Sequence, residues 1–129
     1  QFRRKLDDEL ETAEANLETR EVAGVRAAVL DTEAFTHQFD FPPTTLLVDE
    51  LHRRGREHGR GLTVAIGMDE LFVRADGDLD VRAVAGAARE RVPNGGVTAV
   101  GVRDGRVEFL NGARDAVRDA VIEAAAERL

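Results

Sequence analysis

Residues 52–60 read HRRGREHGR, the densest positive charge in a chain whose 25 acidic residues outnumber its 18 basic ones. Arg53, Arg54, Arg56 and Arg60 suit a phosphate, because the planar guanidinium donates two parallel hydrogen bonds to its oxygens. The competing reading is structural. Cations favour the negative end of a helix, and Gly55 and Gly59 are residues that end one. A second candidate is Asn94-Gly95-Gly96, where a helix passes into a strand. Glycine lets backbone N–H groups approach an anion closely. Phosphate cradles are strongest where a loop opens a helix, however, and this loop leaves one, so read alone the pair is a helix stop followed by a strand start.

Metal and nucleophile chemistry have less support. His37, His52 and His58 form no HExxH pair, and His52 and His58 lie six apart, too far round a helix for one ligand face. Asp31, Asp40 and Asp49 are hard oxygen donors of the kind a divalent cation takes. In so acidic a chain, scattered carboxylates read first as solvated surface. With no Cys there is neither a disulfide framework nor a thiolate site. No GxSxG elbow and no GxxxxGK[ST] loop occurs. Catalysis by this chain alone is not expected, and the one exception weighed is a small-ligand site using Asp31 and His37 near a strand end.

The elements that must position these residues follow from periodicity. Phe2, Leu6, Leu10, Ala13 and Leu17 recur every three or four residues, an amphipathic helix over 2–17. Gly24 stops that pattern, and VRAAVLD at 25–31 is a buried strand. Residues 32–43 lack a clean period and read as a loop. Pro43 fits the first turn of a helix carrying Leu46, Leu47 and Leu51 inward. LTVAI at 62–66 and ELFVR at 70–74 form a hairpin, and ADGD at 75–78 is a turn. Asp80 caps a helix over 81–92. VTAVGV at 97–102 and RVEFL at 106–110 form a second hairpin around Arg103-Asp104-Gly105, and a last helix runs over 113–128. The order α-β-α-ββ-α-ββ-α predicts an α/β (α+β) fold, a mixed sheet of about five strands with helices mainly on one face.

The length, 129 residues, is that of one domain able to bury a core. A net charge of −7, with Lys5 the one lysine among the basic residues, is a composition that suits a salt-loving organism. At about 1 M salt the Debye length shrinks to roughly 3 Å, so nucleic-acid contacts must be close and geometric, and net negative charge does not exclude them. No apolar run reaches the roughly 18 residues of a membrane span. A soluble, cytoplasmic protein is expected. Because the chain opens at Gln1 within a helical pattern, a longer parent chain is expected as well.

The stretch 62–112, LTVAIGMDELFVRADGDLDVRAVAGAARERVPNGGVTAVGVRDGRVEFLNG, resembles the C-terminal DHHA1-type subdomain of the DHH phosphoesterase family, which includes the RecJ-like exonucleases. Arg74 falls in the family's Arg-containing hairpin end, Asp80-Val81 at the start of its short helix, and Asn94-Gly95-Gly96 at its glycine loop. Val97 and Thr98 stand where the family has a third Gly and a His, so the His contact does not carry over. The resemblance implies a DHHA1-like substrate-binding domain over 22–129, preceded by a linker helix over 1–21. It implies binding of single-stranded nucleic acid, single-stranded DNA above all, or a small phosphodiester through Arg74, Asn94, Gly95 and Gly96, with Arg53, Arg54, Arg56 and Arg60 as further phosphate contacts. Catalysis would belong to Mn²⁺ or Mg²⁺ on an upstream DHH domain, and this chain itself would hold no cofactor. Few aromatic residues argue for backbone and phosphate contacts over a base-stacking platform. The alternative from another class is a non-catalytic interaction or dimerisation module, with a homodimer formed through residues 2–17.

Overall fold

The computed structural model describes residues 2–35, 44–101 and 103–129. In chain order the elements are α1 (Phe2–Ala15), β1 (Glu18–Val22), β2 (Val25–Asp31), α2 (Thr32–Phe35), α3 (Thr44–Gly55), β3 (Leu62–Ile66), β4 (Glu70–Ala75), α4 (Val81–Arg91), β5 (Thr98–Gly101), β6 (Arg106–Glu108) and α5 (Arg114–Ala126). One sheet runs in the order β1-β2-β3-β4-β6-β5. β2 and β3 are parallel and every other pair is antiparallel. The mixed α/β class therefore stands, with six strands where about five were expected.

The extra strand is β1. Its sequence ETREV alternates no apolar face, and most of it is exposed at the sheet's edge, so it carried no strand signal. A two-residue connection joins it to β2, and both Ala23 (φ 49) and Gly24 (φ 79) take the left-handed conformation such a hairpin needs. Gly24 is thus a hairpin residue, not a helix stop. The boundary drawn between residues 21 and 22 falls inside this strand.

Helices cover both faces of the sheet, α4 and α5 on one and α1 and α3 on the other, where helices mainly on one face were expected. Ala27, Val29, Leu62, Val64, Ile66, Leu71 and Val73 meet α4 and α5 through Val81, Val84, Ala85, Ala88, Val117 and Val121. On the opposite face Leu30, Ala65 and Phe72 meet Leu47, Val48 and Leu51 of α3 and Leu10 and Ala13 of α1. Burial on two sides explains why β2 and β3 read as near-continuous apolar runs. Leu10 and Ala13 are fully buried, so the part of the first helix's amphipathic stripe that they form packs on this chain's own core. Arg60 secures it with two bonds of 3.1 Å to the Glu14 carboxylate, and Arg54 lies 3.5 Å from Asp7.

Local signals hold where they are strong. Asp80 caps α4 by accepting the Ala83 N–H at 3.1 Å. The segment expected to be loop begins with the short helix α2. Pro43, and with it the expected start of the Pro-led helix, lies outside the described residues, as does Val102 at the end of the penultimate strand. Among the described residues no helix is long and apolar enough to cross a membrane.

Candidate functional site

Arg74 is the expected site residue that the fold works hardest to place. It sits near the end of β4 opposite Thr63. Its Nε donates to Asp49 Oδ1 of α3, and its Nη1 donates to the carbonyls of Val73 (2.9 Å) and Asp104. The side chain is 17% exposed. The turn between β5 and β6 comes so close that Gly105 (φ 64) has no room for a side chain, and a Cβ there would lie 2.9 Å from Arg74 Nη1. Beside this guanidinium lies a cavity of about 140 Å³, lined among others by Arg74, Gly77, Val81, Arg103 and Gly105. Arg103 is exposed and makes no ion pair or hydrogen bond among the described residues. The cavity has the size of one phosphate-like group, with one oriented guanidinium and one unengaged guanidinium on its wall.

The arginine-rich segment behaves differently. Arg53 pairs with Glu50, Arg54 with Asp7, Arg56 with Asp76 at 3.0 Å, and Arg60 with Glu14. Each positive charge of HRRGREHGR thus has a carboxylate of the same chain beside it. Arg60, only 13% exposed, acts as a clamp between α1 and the end of α3.

The glycine loop lies at the other end of the sheet. The Gly95 N–H donates to the Val92 carbonyl at 3.0 Å, and its own carbonyl accepts the Leu110 N–H at 2.8 Å. A Cβ on Gly95 would stand 2.9 Å from Val117 Cγ2, and one on Gly96 (φ 64) would stand 2.8 Å from Leu110 Cγ. Packing and backbone conformation account for both glycines. Asn94 is exposed beside them. Leu110 follows Phe109, whose N–H bonds to the Asp69 carbonyl before the start of β4. Asp69 and Arg74 are five residues apart along an extended chain, about 17 Å. Arg74 and Asn94–Gly96 therefore do not converge on one phosphate, and a ligand touching both would have to span the sheet.

The acidic candidates are likewise distributed. Asp31 receives Arg114 Nη2 at 2.6 Å, Arg114 Nε donates to the Gly67 carbonyl at 2.8 Å, and Asp49 holds Arg74 far from Asp31. His37 and Asp40 lie outside the described residues. Among the described residues no group of three or more His, Cys, Asp or Glu is placed to hold a metal ion.

His52, considered from sequence only as a metal ligand, is 5% exposed and bonds Thr63 Oγ1 at 2.8 Å and Asp76 Oδ1 at 2.9 Å. Hydroxyl, imidazole and carboxylate are the components of an acyl-transfer triad. Thr63 is 1% exposed, so no substrate carbonyl reaches its hydroxyl, and the chain of bonds ties α3 to β3 and to the turn after β4. Burial holds the His52 pKa below its usual 6.5, only partly offset by the Asp76 carboxylate. Burial alone would raise the Asp76 carboxyl, but the bonds from Arg56 and His52 outweigh it and hold the group below its ordinary range. A histidine whose pKa is depressed on folding binds fewer protons folded than unfolded. Its contribution to stability is full above about pH 6.5 and is lost as pH falls through the folded value. Denaturant unfolding at about pH 7.5 and at successively lower pH below about 6.5 should show a loss in the wild type that His52→Gln reduces. An equal loss in both proteins would remove His52 as the cause.

Sequence reasoning missed Arg103 because a lone Arg in an RDG turn carries no periodic signal. Only the pairing of β6 with β4 brings it to Arg74.

No family model matches the chain, and no curated protein matches it in sequence. Among solved structures it is similar to one described as the DHH domain of a member of the s1p family of ribosomal proteins, with a TM-score of 0.82 and 22% identity. The match covers 97% of this chain and 31% of that one, so this chain spans about a third of its length. The fold is that of part of a DHH-domain structure.

Proposed function

We propose that this chain is the substrate-binding part of a metal-dependent phosphoesterase of the DHH type, with the RecJ-like exonucleases of salt-loving archaea as its functional parallel. The observation that carries the reading is the fold itself, which agrees along nearly the whole chain with one portion of a longer DHH-domain structure. In this reading Mn²⁺ or Mg²⁺ held by residues upstream supplies the activated water for phosphodiester hydrolysis. The residues of this chain hold single-stranded nucleic acid or a small phosphodiester. Arg103 and the outward edge of Arg74 take one backbone phosphate in the cavity beside Gly77 and Gly105, while Asn94 and Gly96 meet the strand, if it is long enough, at the far edge of the sheet. Arg53, Arg54, Arg56 and Arg60 contribute little, since their charge is already matched within the chain. A cytoplasmic setting belongs to the same reading.

Binding of a labelled oligothymidylate by fluorescence anisotropy at about 50 mM salt tests it. Arg103→Ala removes a charge-assisted contact and should weaken binding roughly tenfold, with Arg53→Ala close to wild type. Equal affinity of wild type and Arg103→Ala would take the cavity out of the site. Hydrolysis by this chain alone with Mn²⁺ would contradict the assignment of catalysis to an upstream domain.

A second reading, the non-catalytic interaction or dimerisation module, is favoured by one observation. Met68 and Leu110, 55% and 60% exposed, flank the bond between Phe109 and Asp69 on the edge that carries the glycine loop. A homodimer through residues 2–17 has less to work with, because Leu10 and Ala13 are already covered by α3 and the sheet. Mass that rises with concentration, together with no oligonucleotide binding, would favour this second reading.

A further inference from the structure

We propose that His52 is a proton-linked positioning residue of the Arg74–Arg103 cavity: an anion held there and a proton on the buried imidazole favour each other. The inference rests on the phosphate-binding reading of that cavity. Both hydrogen-bond partners of the ring belong to the elements that build its wall. Thr63 stands directly opposite Arg74 across β3 and β4, and residues so paired project from the same face of a sheet. Asp76 links Ala75 to Gly77, both of which line the cavity.

With the Asp76 carboxylate as acceptor, the neutral ring donates from Nε2–H and accepts the Thr63 hydroxyl proton at Nδ1. A second proton, taken from solvent onto Nδ1, makes both ring nitrogens donors, and the Thr63 hydroxyl must turn to accept. The new positive charge appears where little water screens it. The charged groups that face it are Asp76 from the turn after β4, Arg56 from the turn after α3, and Arg74 from β4, itself bonded to Asp49 of α3. Repulsion from Arg56 and Arg74 adds to burial in disfavouring the charged ring. An anion on Arg74 offsets part of that repulsion, and coupling between two binding equilibria is reciprocal. Protonation of His52 therefore tightens the cavity's hold on the anion.

The test uses the whole chain and a rhodamine-labelled oligothymidylate, whose phosphodiesters keep the same charge throughout. Affinity is measured at about pH 7.5 and about pH 5.5, either side of the ordinary imidazole range. Other groups titrate across this interval, so the reading is the ratio of the two affinities in wild type against the same ratio in His52→Gln. The expected gain on acidification is about fivefold larger in wild type. In parallel, the His52 imidazole titration followed by NMR should move to higher pH when the oligonucleotide is present. If His52→Gln fails to fold, Asp76→Asn keeps the ring and removes the carboxylate that supports its charge, and the pH dependence should shift to lower pH. Identical pH dependence in wild type and variant, or an imidazole titration that the oligonucleotide leaves in place, overturns the linkage while the binding reading survives. No binding by wild type at either pH overturns both.

Discussion

Gly105→Ala is expected to destabilise the protein by about 2–4 kcal/mol, from backbone strain together with overpacking. Gly105 has φ 64, a conformation that costs an L-residue about 1 kcal/mol or more. A Cβ would also overlap the Val73 carbonyl and crowd Arg74 Nη1. The turn cannot retreat freely, because the Gly105 carbonyl accepts the Val73 N–H at 2.9 Å and the neighbouring Asp104 carbonyl accepts Arg74. For a chain of this size the melting temperature should fall by roughly 10 °C. Gly77→Ala is the matched control: Gly77 has φ 84, but a methyl group there would meet nothing within 4 Å, so only the backbone cost of about 1 kcal/mol applies. Thermal unfolding of the two variants separates the effects. Equal losses would mean that the close approach of the turn to β4 is not what requires glycine at 105.

Leu10→Ala should cost about 3 kcal/mol, within the range for a fully buried leucine whose removal leaves a cavity. Leu10 is fully buried with Leu30, Leu47, Val48, Leu51 and Phe72 around it, although it belongs to the segment whose pattern matched a linker. Urea denaturation should show a lower midpoint with an unchanged slope and one transition, since α1 would then unfold with the rest. An unchanged midpoint would return α1 to the status of a linker docked loosely on the domain. Glu14→Ala gives a smaller effect in the same sense, because its partner Arg60, largely enclosed, is left without a carboxylate.

The helices and most strands were legible because their signals are local. The period of apolar residues in 81–92 together with Asp80 at its head specifies α4 without help from the rest of the chain, and VRAAVLD can bury itself only as a strand covered on both faces. β1 was not legible, since an exposed edge strand needs hydrogen bonds from its neighbour but no apolar pattern of its own. Helices on two faces of the sheet, where mainly one was expected, were not legible for a related reason: periodicity says that a helix has a buried side, not which sheet face receives it. The glycine loop shows the same limit. Gly95 and Gly96 announce a turn, while their tight fit against Val117 and Leu110 depends on where α5 and the end of β6 arrive.

What the sequence by itself determined is the kind of element at each position and the kind of chemistry within reach: arginine-based contacts to anions, with no thiol and no spaced histidine set. Which arginine has charge to offer was decided by the tertiary structure alone. Arg54 and Arg60 meet acids from a helix more than forty residues earlier, Arg56 meets one twenty residues later, and Arg103 comes to Arg74 only through the pairing of strands. Helical and strand periods are written within a few residues, whereas the matching of charges depends on the long-range register that packs those elements together. The same physics turned the most basic stretch of the chain into a set of internal clamps and left an isolated turn arginine facing the cavity.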